Sequence, residues 1–88
     1  MDIEEERQRI DQINSDIIED IGDRMEVVAS IAEKKEEYDE EIEDTGREQE
    51  VIKQFRQGFS DIDLPEQKGE DMAEFLISLA KNYQSDRR

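Results

Sequence analysis

The fold is decided by residues 3–38, which read IEEERQRIDQINSDIIEDIGDRMEVVASIAEKKEEY. Apolar side chains recur in this stretch at alternating steps of four and three residues, the spacing of an amphipathic helix that packs on other helices. The pattern predicts one helix of about 36 residues, which would be about 54 Å long. A compact domain of this size is only about 30 Å across, so a helix of that length favours an oligomer.

Three cations interrupt the apolar stripe of this helix, namely Arg7, Arg24 and Lys35. At 100° per residue, all three lie within the arc that the isoleucines occupy. A single cation in such a stripe can be structural, because the aliphatic part of the side chain can lie along the apolar surface while its charge stays in water. It can also fix the register of a coiled coil, as Asn14 could. Three together favour a bound anion, because buried cations need partners and no acidic residue of this helix clearly shares their face.

The spacing of the three cations suggests a second copy of the chain. Arg24 and Lys35 are about 16 Å apart along the helix axis, and Arg7 is about 25 Å from Arg24. One small ligand cannot touch all three within one chain. If two helices pair antiparallel about a centre near Ile17 and Ile18, Arg7 of the partner subunit reaches the space between Arg24 and Lys35. We therefore predict a homodimer with two sites, each completed across the interface.

Composition excludes several classes of function. The 27 acidic and 12 basic residues give a net charge of −15, which argues against a nucleic-acid partner. There is no Cys and no His, so thiol chemistry, disulfides, imidazole bases and the usual zinc sites are excluded. No apolar run is long enough for a membrane span or a signal peptide, so we expect no membrane partner and a cytoplasmic location.

A second, shorter helix is predicted over about residues 45–58. Asp44 or Thr45 can cap its start, and apolar residues then recur at helical spacing. Gly58 and the polar residues after it break the pattern, so we expect a turn there.

A third helix is predicted over about residues 65–85. Pro65 suits its first turn, Asp63 is a candidate cap, and Gly69 weakens the helical pattern near the start. The chain offers no strand pattern, so we predict a single all-α domain over residues 1–88, with three helices and nothing else.

Eight positions on the three helices form a pattern: Arg7, Arg24 and Lys35 in the first helix, Asp44, Arg47 and Glu48 at the start of the second, and Ala80 and Gln84 in the third. The pattern resembles the all-helical chorismate mutase family over nearly the whole chain, and seven of the eight positions match in order without a gap. The departure is Ala80, where the family has a Ser whose hydroxyl would contact a substrate carboxylate. The resemblance implies an intertwined helical homodimer that needs no cofactor and no metal.

The resemblance also implies a reaction, the [3,3] rearrangement of chorismate to prephenate in phenylalanine and tyrosine biosynthesis. This step needs no acid, base or nucleophile; it needs a folded conformer and stabilisation of negative charge on the ether oxygen. Lys35 and Gln84 would donate to that oxygen and are the expected catalytic residues. The expected substrate-binding residues are Arg7 of the partner subunit, Arg24, Asp44, Arg47, Glu48 and Ala80.

Two other interpretations remain open at this point. An enzyme with the same fold could act on isochorismate and eliminate pyruvate to give salicylate, and analysis of the product would separate the two reactions. The chain could instead be a non-enzymatic acidic coiled-coil dimerisation module, in which the three cations pair with carboxylates of the partner. Replacing Lys35 by Ala would then change stability and no activity.

Overall fold

The computed structural model describes residues 3–37 and 45–86, and for residues 35–37 and 84–86 it describes the backbone only. Tyr38, the predicted end of the first helix, therefore lies outside the described residues.

Three helices account for nearly all of these residues: α1 (Ile3–Glu37), α2 (Thr45–Asp61) and α3 (Glu66–Asp86). The described ranges contain no strand, so the prediction of an all-α chain with three helices is confirmed. Within those ranges, no helix has the length and apolar character needed to cross a membrane.

The helices α2 and α3 form a close antiparallel hairpin, and Gly69 is the reason that they can approach so closely. A methyl group at Gly69 would lie 2.5 Å from the carbonyl oxygen of Phe55 and 3.0 Å from the ring of Phe59. Ala73, one turn later on α3, is completely buried, at 0% exposure. Gly69 therefore does not weaken the start of α3; its missing side chain makes room for the backbone of α2.

The turn between these helices depends on Asp63. This residue has a φ of 61°, in the left-handed region that non-glycine residues seldom adopt. Its amide donates to the Ser60 carbonyl at 3.1 Å, and the Leu64 amide donates to the Phe59 carbonyl at 2.8 Å. This bonding pattern closes the last turn of a helix around one left-handed residue. Asp63 thus ends α2, whereas the sequence suggested it as a cap for the third helix.

The helix α2 continues to Asp61, three residues beyond the end predicted at Gly58. Gly58 is exposed, and a methyl group added to its Cα would meet no neighbouring atom within 4 Å. The next residue, Phe59, lies against Gly69 of α3. Packing of Phe59 offsets the cost of about 1 kcal/mol that a glycine imposes within a helix.

The helix α1 packs on α3 and, among the described residues, not on α2. Among the side chains of residues 3–34, the buried ones are Val28 and Ala32, both in the second half of the helix. Residues 3–20 are exposed on every face, and Ile3 and Ile18 each show 69% of their surface to solvent. Only the second half of the predicted apolar stripe is therefore packed within one chain.

The exposed half of α1 gives the molecule an extended shape, of 55 × 23 × 15 Å. Its radius of gyration is 16.1 Å, against about 12 Å for a compact chain of this length. Its accessible surface is 6994 Å², about 30% more than a compact monomer of this mass exposes. A single chain thus leaves much of its apolar surface unburied.

We expect Gly69→Ala to lower the free energy of unfolding by about 2 kcal/mol, because the added methyl group must push the α2 backbone away. Gly58→Ala is the matched control: it lies in a helix with open space around it, so it should raise the free energy of unfolding by up to about 1 kcal/mol. Urea unfolding at one fixed protein concentration measures both. Equal stabilisation by the two substitutions would contradict the close approach at Gly69.

Candidate active site

Arg24 lies where α1 crosses α3. Its side chain is half-buried, and its Nη1 donates a long hydrogen bond of 3.5 Å to the carbonyl oxygen of Leu76. Val28, one turn further along α1, is buried on the same side of the helix. This bond uses one of the five N–H donors of the guanidinium group, and a carboxylate binds two of them side by side. Arg24 is therefore held at the edge of the core with capacity to bind an anion.

Two further candidate site residues follow Leu76 along the same face of α3 at steps of four residues. Ala80 is one turn beyond Leu76 and is half-buried, and Gln84 is one turn beyond Ala80. The backbone of Gln84 is thus about 12 Å from that of Leu76 along the helix axis. The side chain of Gln84 lies outside the described residues.

Glu48, in the first turn of α2, forms an ion pair with Lys81 of α3. The Lys81 Nζ is 3.0 Å from the Glu48 Oε2, and the two side chains are 34% and 23% exposed. Lys81 directly follows Ala80, so the Glu48–Lys81 pair lies next to the face of α3 that carries Leu76 and Ala80. The antiparallel hairpin therefore brings together the start of α2 and the last turns of α3, which are far apart in sequence.

A groove of about 380 Å³ lies between α2 and α3 next to this ion pair. Its lining combines apolar and charged side chains: Glu48, Ile52, Glu74, Ile77, Ser78, Lys81 and Asn82. Ile52 and Ile77 offer an apolar wall on which a small ring could lie. Two carboxylates against one ammonium would repel a dianion, so an anionic substrate needs the cations of α1 as well.

Glu74, on the rim of this groove, differs electrostatically from an ordinary exposed glutamate. The pKa of its carboxyl is raised above the usual value, first by desolvation and then by a hydrogen bond shared with Glu70 and by the negative charges of Glu70 and Asp71. As the pH falls, the Glu74 carboxylate is therefore protonated, and loses its negative charge, at a higher pH than an ordinary glutamate would.

Among the predicted residues whose side chains are described, only Glu48 lines the groove. Arg7 is exposed near the start of α1, about 25 Å along the axis from Arg24. Arg47 is exposed in the first turn of α2. Lys35 belongs to the last turn of α1, but its side chain lies outside the described residues, and so does Asp44 altogether.

Lys81 is the site residue that sequence reasoning missed. Nothing in its local sequence separates it from an ordinary surface lysine of an amphipathic helix. Its pairing with Glu48 depends on the register between α2 and α3, which the turn at Asp63 and the close approach at Gly69 fix. Within the described residues, no group of three side chains is arranged to hold a metal ion.

One of three comparisons with known proteins identifies a family for this chain. The family model for chorismate mutase type II matches residues 6–85, a range that reaches into all three helices and includes every candidate residue. No curated protein and no solved structure matches the chain.

Proposed function

The chain belongs to the chorismate mutase type II family, and we propose that it rearranges chorismate to prephenate without a cofactor or a metal ion. We expect this reaction to serve the biosynthesis of phenylalanine and tyrosine in the cytoplasm. The observation that carries the proposal is Arg24, a half-buried cation at the edge of the core, in a chain that matches the family over nearly its whole length.

The chemistry fits a site without His or Cys. The rearrangement breaks a C–O bond and forms a C–C bond within one molecule, and no proton has to be transferred. The site must hold the substrate in a folded conformer and stabilise the negative charge that grows on the ether oxygen. We assign that stabilisation to the Lys35 ammonium and the Gln84 amide, because both are donors at neutral pH and both belong to helices that meet near Arg24.

Binding of the two substrate carboxylates is assigned to Arg24 and to Arg7 of the partner subunit. A guanidinium group pairs with a carboxylate through two parallel hydrogen bonds, so two arginines match the two carboxylates of chorismate. Glu48 would accept a hydrogen bond from the ring hydroxyl, and Asp44 and Arg47 would lie nearby. Ala80 offers no hydroxyl for a carboxylate, and we expect weaker substrate binding as the consequence rather than loss of the chemical step.

The active form in this proposal is an intertwined homodimer. The exposed isoleucines of residues 3–20 support it, because such a face on a stable protein is normally covered. An antiparallel partner helix would cover this face and would bring its own Arg7 between Arg24 and Lys35. The same arrangement would add the partner's Arg7 to the cations of α1, and this positive charge would offset the two carboxylates of the groove when a dianion binds.

The test is to add purified protein to chorismate, to follow the loss of its ultraviolet absorbance and to identify the product. Formation of prephenate supports the proposal. Salicylate from isochorismate, with little prephenate, would assign the chain to the pyruvate lyases of the same fold instead. A folded protein without turnover on either substrate would favour the non-enzymatic dimerisation module.

A further inference from the structure

The ion pair between Glu48 and Lys81 is better shielded from water than a typical surface pair. The two side chains are 23% and 34% exposed, and the Nζ–Oε2 distance of 3.0 Å is that of a close ion pair. The hairpin carries a second set of ion pairs at its other end, where Arg56 contacts Glu70 at 2.9 Å and Glu66 at 3.1 Å. Both sets join α2 to α3, but only the first lines the groove.

In the proposed reaction, the negatively charged Glu48 must bind a substrate that is itself negatively charged. It must accept a hydrogen bond from the ring hydroxyl while the same molecule brings two carboxylates into the site. An uncompensated carboxylate at that position would repel the substrate, and an unfixed one would rotate away from the hydroxyl. A carboxylate has two oxygens, so Oε1 can accept from the hydroxyl while Oε2 stays bound to the Lys81 ammonium.

We propose, on the basis of the chorismate mutase function above, that Lys81 is a positioning residue of the active site. Its ammonium fixes the orientation of the Glu48 carboxylate and balances its charge, so that the carboxylate binds the ring hydroxyl of a dianionic substrate. Lys81 acts through Glu48. It therefore contributes to substrate binding and not to the charge that develops on the ether oxygen.

The proposal is tested by the kinetics of a Lys81→Met variant, which keeps the apolar stem of the side chain and removes its charge. We expect KM for chorismate to rise about tenfold and kcat to change less than about threefold, because the hydroxyl contact is made in the ground state and the transition state alike. Lys81→Arg should restore most of the affinity, since a guanidinium group also donates to a carboxylate.

Arg56→Met is the matched control, because it removes two hairpin ion pairs that lie away from the groove, and the pair with Glu70 is similar in exposure to the Glu48–Lys81 pair. Its KM should equal that of the wild type, whereas its loss of stability should be at least as large as that of Lys81→Met. Equal KM values in Lys81→Met and wild type would overturn the proposal. So would a Lys81→Met chain that fails to fold where Arg56→Met folds, since the pair would then be structural.

A double-mutant cycle shows whether Lys81 acts through Glu48. In a Glu48→Gln background, adding Lys81→Met should change KM less than about twofold, because the partner of the ammonium is already altered. A tenfold rise that persists in this background would mean that Lys81 contacts the substrate directly, and would refute the positioning role. Wild-type protein without mutase turnover is a different result: it removes the proposed function itself, and this inference with it.

Discussion

Replacing Lys35 by Ala is expected to lower kcat for chorismate about 10³-fold, with a much smaller change in KM. The ammonium is assigned to the ether oxygen, whose negative charge grows only as the C–O bond breaks. A donor of this kind stabilises the transition state more than the bound substrate, and removing one costs about 10² to 10³ in rate. Steady-state loss of chorismate absorbance measures the effect.

Lys34→Ala is the control for this substitution. Lys34 is the adjacent residue of α1 and its side chain is exposed, so the variant changes the net charge by the same amount at a neighbouring position. We expect its kcat to stay within about twofold of the wild type. If Lys35→Ala and Lys34→Ala had the same turnover, Lys35 would not be catalytic, and a fall in stability alone would favour the dimerisation module.

Mixing two inactive variants is expected to restore about one quarter of the wild-type activity. Arg7→Ala and Arg24→Met should each lose most of their activity as homodimers, because every site then lacks one arginine. After the two are unfolded together and refolded, about half of the dimers should be mixed, and each mixed dimer has one site with both arginines and one with neither. Met at position 24 keeps an apolar stem where the arginine is half-buried.

The mixture must be compared with each variant refolded alone and with an Arg9→Ala variant. Arg9 is exposed on α1 two residues after Arg7, so its replacement should leave activity near that of the wild type. A mixture that is no more active than its two components would show that each site belongs to one chain. The predicted contribution of Arg7 from the partner subunit would then be wrong.

The fold was predictable where the sequence signal is local. The apolar period of α1 can be read from residues a few positions apart, and the structure confirms three helices without strands in the described ranges. The period does not predict, however, which element packs on the apolar stripe of α1. Val28 and Ala32 are buried, whereas Ile3 and Ile10 belong to the same stripe and are exposed.

The details that depend on contacts between helices could not be predicted in this way. Gly69 looked like a weak point in α3, and only the position of Phe55 shows why a glycine is there. Asp63 looked like a helix cap, but its left-handed φ belongs to the end of α2. The Glu48–Lys81 pair follows from the register that these two residues set.

The candidate site was predictable in part. The position of Arg24 in the apolar stripe indicated a cation at the edge of the core, and the structure has it half-buried beside Leu76. The roles of all the candidate residues remain predictions, and the side chains of Lys35, Gln84 and Asp44 lie outside the described residues.

The unequal packing of the three helices also sets an order of events during folding. The α2–α3 contacts nearest the turn join residues that are only 10 to 14 positions apart in sequence, around a turn of four residues between Asp61 and Glu66. Contacts of that kind form quickly, because little loop entropy is lost in closing them. Residues 3–20 of α1 are exposed on every face. In the proposed homodimer they would be packed only after two chains meet, so the rate of the last folding step would rise with protein concentration.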